Sequence, residues 1–175
     1  MTIHLPDLKH FRCPRFRDLP AKPCFNQEAV HFVTQALAPL DLAADLTTTM
    51  VQNYVKWGFL ERPQGRKYER THVAYLLVIT VYKAVLPLAE VKRGVDLQLG
   101  VMTLPEAYDT FAGALDLALT RVFHNLFDGK SAAHLPALTL PKEQLGVSAV
   151  AEAFAFRLLG RYILQENGLA QKERQ

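Results

Sequence analysis

Gln52, Asn53 and Lys56 lie within one turn and a half of chain, with Thr48 and Thr49 just ahead of them. An amide donates and accepts at once, which suits an adenine edge, and a lysine suits a guanine edge or a phosphate. Threonines at the start of a helix can hold a phosphate where backbone N–H groups point outward. Arg62, Arg66, Lys67 and Arg70 follow closely. Such cations grip neighbouring phosphates and supply affinity and register more than sequence choice. The chemistry these residue types perform together is recognition of double-stranded DNA.

Reading a duplex requires a short helix with one polar side and a basic loop beside it. The segment from Leu46 to Tyr68 has that form. Thr47 or Thr48 caps a helix over 48–57, and Gly58 stops it. Val51, Tyr54 and Val55 fall at i, i+3 and i+4 and form its buried stripe, so Gln52, Asn53 and Lys56 share the opposite side. A helix of about ten residues fits the major groove. Phe59-Leu60 and Lys67-Tyr68 are expected to pair as short strands around the tip Arg62-Pro-Gln-Gly-Arg66, where glycine permits the positive φ of a tight turn. Residues 60–68 would then be a wing on the DNA backbone.

The expected fold is mainly α: a winged helix-turn-helix with a short two-stranded wing, followed by an all-helical C-terminal half. Residues 1–26 hold four prolines and five Lys/Arg and read as an arm with little regular structure, laid over the body by Leu5, Leu8, Phe11, Phe16 and Leu19. Residues 27–100 form the DNA-binding domain. Asn26 is placed to cap a helix over 27–38, whose inner face is Val30, Val33, Thr34 and Leu37. A largely buried helix spans 70–85, and a short one spans 88–94. Residues 101–175 form the helical region. One helix covers 105–127, with Tyr108, Phe111, Ala112, Leu115, Leu119, Val122, Phe123 and Leu126 inward. A loop covers 131–141. A last helix covers 142–165, with Val147, Val150, Phe154, Phe156, Leu158, Leu159 and Ile163 as core.

At 175 residues, half of them hydrophobic, the chain is long enough to bury a core without metal or disulfide staples. The net charge of +3 is mild, but its distribution is not even. Between Val51 and Arg93, eight Lys/Arg face three Glu, so 43 residues carry +5 and the remainder carries −2. The basic character is concentrated where the motif sits. No signal-like apolar stretch opens the chain, and the apolar run 73–88 is broken by Tyr82, Lys83 and Pro87. A cytoplasmic protein with no membrane partner is expected, and Cys13 and Cys24 are then reduced thiols.

The stretch Val51-Gln-Asn-Tyr-Val-Lys-Trp-Gly-Phe-Leu-Glu-Arg-Pro, with Arg66-Lys-Tyr68, Leu76-Leu-Val-Ile79 and Leu86-Pro-Leu-Ala-Glu-Val91, resembles the DNA-binding domain of MerR-type regulators. The pattern Leu46-Thr47, Met50-Val51, Asn53-Tyr54-Val55-Lys56, Pro63, Lys67-Tyr68 and His72-Val73-Ala74-Tyr75-Leu76 is similar to that of a bacterial family of unknown function, the YkrK type. The resemblance covers about residues 46–95. It implies a winged-helix, DNA-binding role for Asn53, Lys56, Arg66 and Lys67, hence a transcriptional regulator.

Other chemistry finds little footing. His4, His10, Cys13 and Cys24 lack the close cysteine pair of a zinc site. His72 reads as a hydrogen-bonded structural residue. Glu106, Asp109 and Asp116 read as a solvated helix face. There is no Gly-rich phosphate loop, nucleophile elbow or His-Glu-x-x-His pattern, so no catalytic residue, metal ligand or cofactor is expected. The helical half leaves three roles open. It packs on the DNA-binding part, it makes a homodimer, or it takes a small-molecule effector among Phe111, Leu115, Phe123, Phe154 and Phe156. A protein-interaction or adaptor module that keeps the fold without touching DNA is the competing reading.

Overall fold

The computed structural model describes residues 3–42, 46–128 and 142–166. Among these are helices α1 Leu5–His10, α2 Asn26–Ala36, α3 Thr48–Lys56, α4 Arg70–Tyr82, α5 Leu88–Leu99, α6 Leu104–Phe127 and α7 Leu145–Gln165. Two short strands, β1 Cys24–Phe25 and β2 Lys67–Tyr68, pair antiparallel with Cys24 opposite Tyr68 and Phe25 opposite Lys67. The molecule is therefore mainly helical with a small two-stranded sheet.

α4 is the axis of the fold. From His72 to Tyr82 every residue except Tyr75 is buried, as expected for a helix apolar around most of its girth. It touches α2, α5, α6, α7 and β2. Of its two buried hydroxyls, Thr80 donates to the Leu76 carbonyl at 2.7 Å within the helix, and Tyr82 donates to the Val147 carbonyl of α7 at 3.0 Å. α6 and α7 make the most extensive helix pair. A Thr103–Glu106 capping box and Pro105 start α6. A single apolar cluster runs from Ile3 through Tyr162. No helix among the described residues is long and apolar enough to cross a membrane.

Several local expectations change. The arm contains α1, a 3-10 turn at Phe16–Asp18 and β1. Pro6 sits in the first turn of α1, Asp7 lies near its positive end, and Lys9 and His10 lie near its negative end. Asn26 does not cap α2. Phe25 occupies the cap position and its N–H is received by Glu28 Oε2 at 2.6 Å, while Asn26 Nδ2 donates to the Thr48 carbonyl at 3.0 Å. Asn26 thus ties α2 to the start of α3. α4 is shorter than expected and α5 longer, running on through Gly94 to Leu99.

Phe156 is not core: it is 43% exposed, while Phe154 is fully buried. Residues two apart on a helix point to different sides, so both could not face α6. The expected loop over 131–141 lies outside the described residues.

Candidate nucleic-acid interface

α3 is nine residues long, capped by Thr47 Oγ1, which accepts the Met50 N–H at 3.2 Å. Val51 and Tyr54 are fully buried and Val55 half-buried, which turns Gln52 and Lys56 outward and leaves Asn53 partly exposed. Among the described residues nothing bonds the side chains of these three. Thr49 is exposed, and Thr48 is half-buried with its carbonyl held by Asn26.

The exit from α3 is tightly specified. Gly58, at φ 72°, adopts the left-handed conformation. The Gly58 N–H meets the Val55 carbonyl at 3.2 Å and the Phe59 N–H meets the Tyr54 carbonyl at 2.8 Å, a Schellman motif. The Leu60 N–H also bonds Tyr54 O, at 3.2 Å. The expected strand Phe59-Leu60 is therefore absent. Both of its N–H groups cap α3, and Leu60 is buried. β2 pairs with β1 from the arm instead.

The basic tip keeps its tight turn. Gly65 and Arg66 have φ of 53° and 67°, and the Lys67 N–H returns to the Gln64 carbonyl at 2.8 Å. Positive φ at both central residues is the hairpin form of a two-residue turn. Arg62, Arg66 and Lys67 are exposed. Lys67 Nζ stands 4.3 Å from the Phe25 ring centroid, a cation–π contact that steadies it across the sheet.

Arg70 is not with them. Its Nε is buried and its guanidinium lies 5.6 Å from the Phe16 ring, so it packs the arm onto the body. His72 is buried, with Nδ1 accepting the Glu69 N–H at 3.0 Å at the start of α4. That agrees with a structural role.

Two residues the sequence analysis passed over belong to this surface. Trp57, next to Lys56, is 57% exposed and Phe25, beneath Lys67, is 52% exposed. Each ring offers a flat apolar face beside a cation, on which a partner could stack. Trp57 was legible as the residue between a polar helix face and its glycine stop. Phe25 was not, because its neighbour Lys67 is 42 positions away.

Asp109 and Asp116, expected on a solvated face, clamp the arm. Asp109 Oδ1 accepts the Phe16 N–H at 2.7 Å. Asp116 accepts the Cys13 N–H at 2.8 Å and pairs with Arg15 at 2.8 Å. Tyr108 donates its hydroxyl to Pro14 O at 2.9 Å. Burial, with the Asp116 carboxylate beside it, pushes the Cys13 thiol up to about 12. Cys24, whose thiol donates to Tyr68 O at 3.6 Å, is raised by burial and by Glu28. Cys13 and Cys24 thus serve different places, and no group of three His, Cys, Asp or Glu among the described residues could hold a metal ion.

The five residues expected to enclose an effector do not. Leu115, Phe123 and Phe154 are packed solid and Phe156 is exposed. Phe111 alone of the five lines a cavity, of about 260 Å³, which lies between α4, α5, α6 and α7.

A family model described as Domain of unknown function (DUF1836) matches residues 14–111, from the middle of the arm into α6. No curated protein and no solved structure matches the chain.

Proposed function

The chain belongs to the family described as a domain of unknown function, DUF1836, and we propose that it is a sequence-specific DNA-binding protein, a transcriptional regulator. α3 enters the major groove, where Gln52, Asn53 and Lys56 read base edges, and the loop over 60–68 rests Arg62, Arg66 and Lys67 on the backbone. The observation that carries this reading is the unpartnered polar side of α3, which ends at Gly58 directly before a tip of exposed cations. The reading takes the order of a helix, a second short helix, a basic loop and a buried helix as MerR-like. The two-stranded pairing runs against it, because β2 takes its partner from the arm. A two-fold dimer would set two copies of α3 about 34 Å apart, one duplex turn.

The test is fluorescence-anisotropy binding to the DNA upstream of the protein's own gene, across a salt series. Binding should weaken with salt at a log–log slope of about −0.9 per phosphate contact. A folded protein that shows no salt-dependent affinity for any duplex sinks the proposal. Trp57 favours the second reading, a protein-interaction module, because a ring 57% exposed beside α3 suits an apolar partner surface equally well.

A further inference from the structure

The cavity between α4, α5, α6 and α7 shares no lining residue with the proposed DNA surface. Four rings, Tyr75, Tyr82, Tyr108 and Phe111, form much of its wall, with aliphatic side chains from all four helices between them. Tyr82 and Tyr108 have already committed their hydroxyls, to Val147 O at 3.0 Å and Pro14 O at 2.9 Å. What they add to the wall is ring. Among the described residues, Glu90, exposed in the first turn of α5, is the only charged residue of the lining, and no lysine or arginine joins it. α5 itself is thinly held: of its twelve residues only Val91 is buried. An apolar guest would cover Val95 and Leu99, which line the cavity half-buried.

We propose that this cavity is a binding site for a small lipophilic cation, an aromatic or branched aliphatic body carrying an amine or ammonium group. The body fills the hollow, whose volume of about 260 Å³ suits a compact guest. The charged end stays at the rim, beside the Glu90 carboxylate and within reach of aromatic rings. A neutral guest of the same shape gains the burial without the charge pairing. An anionic one meets the like charge of Glu90, the one charged side chain of the described lining.

The test is calorimetric titration of the full chain, without DNA, with three probes that share one body: 1-naphthylmethylammonium, 1-naphthylmethanol and 1-naphthoate. Leaving DNA out keeps this result independent of the proposed regulatory role. The ammonium should bind about two- to fivefold more tightly than the alcohol, and the carboxylate more weakly than both. Glu90→Gln should remove the preference for the ammonium and leave the alcohol's affinity unchanged. Ala107→Phe, from a wall position, should abolish binding of all three, with thermal unfolding checking that the variant is folded. If it does not fold, the Glu90→Gln comparison decides. No binding at millimolar probe, equal affinity for the three probes, or a preference indifferent to Glu90→Gln overturns the proposal. So does binding that persists in a folded Ala107→Phe.

Discussion

Arg15 and Asp116 stand 101 positions apart in sequence and meet at 2.8 Å, and the same carboxylate takes the Cys13 N–H at 2.8 Å. One side chain of α6 thereby fixes the course of the arm. The Asp116 side chain is only 12% exposed, so its loss strands the Cys13 N–H and leaves the Arg15 guanidinium with the Cys13 carbonyl and solvent.

Asp116→Ala is expected to lower stability by about 2–3 kcal/mol, and Asp116→Asn by less, because the amide oxygen still accepts from Cys13. Urea denaturation followed by far-UV circular dichroism measures both. An Asp116→Ala midpoint equal to that of the parent would show that the arm does not depend on this clamp.

Asn53→Ala is expected to cost about 1–3 kcal/mol on the preferred duplex and little on unrelated ones, as loss of a base contact does. Arg62→Ala should weaken all duplexes alike and reduce the salt slope by about 1. Lys67→Ala should behave in the same manner, and should also release Phe25. Anisotropy titrations on the two classes of duplex separate the roles, and uniform loss from all three variants would refute them.

Gly58→Ala should destabilise by about 1 kcal/mol. A Cβ there meets nothing within 4 Å, so the cost is the left-handed backbone at φ 72° alone. Arg66 already bears that cost, at φ 67°. Arg66→Gly should therefore be neutral or stabilising by up to about 1 kcal/mol while weakening DNA binding. Thermal unfolding of the pair checks the opposite signs.

The buried thiol makes the fold sensitive to alkali. Cys13 ionises near pH 9.0 when exposed and near 12 in the native state, so between these values the unfolded chain holds fewer protons. Stability is then complete below about pH 9 and falls as pH rises toward 12, approaching about 1.4 kcal/mol per pH unit for this group. Tyr82 and Tyr108, both raised by burial, act in the same direction above the ordinary tyrosine range. Urea midpoints from pH 8 to 11 should fall less steeply in Cys13→Ala than in the parent. Identical slopes would remove the thiol from the account.

What the sequence made legible was decided within one element. The stripe of Val51 and Tyr54 and the stop at Gly58 are read from helical spacing and one glycine. The extent of α6 follows from its apolar period, to within one residue at its start. What stayed hidden was settled between distant elements. Lys67-Tyr68 needs a strand, and nothing local says that Cys24-Phe25 supplies it while Phe59 and Leu60 fold back on α3. Asp109 and Asp116 have the spacing of any exposed helix face, and only the packed arm reveals what they hold. Asn26 has the right chemistry for a cap, but Glu28 stabilises a start one residue earlier.

The Gln165 side chain receives the Ile3 N–H at 2.7 Å and returns a hydrogen bond to the Ile3 carbonyl at 3.0 Å. The two residues are 162 positions apart, so during synthesis on the ribosome the seat of Ile3 does not exist until the end of α7 has been made, although α1 beside it packs chiefly on α6. Ile3, buried in the native state, stays uncovered through that interval, and Leu8 on α1 stays so until α6 has been made. A chaperone that shields apolar segments should associate with this stretch of the nascent chain until α6 and α7 have both cleared the exit tunnel.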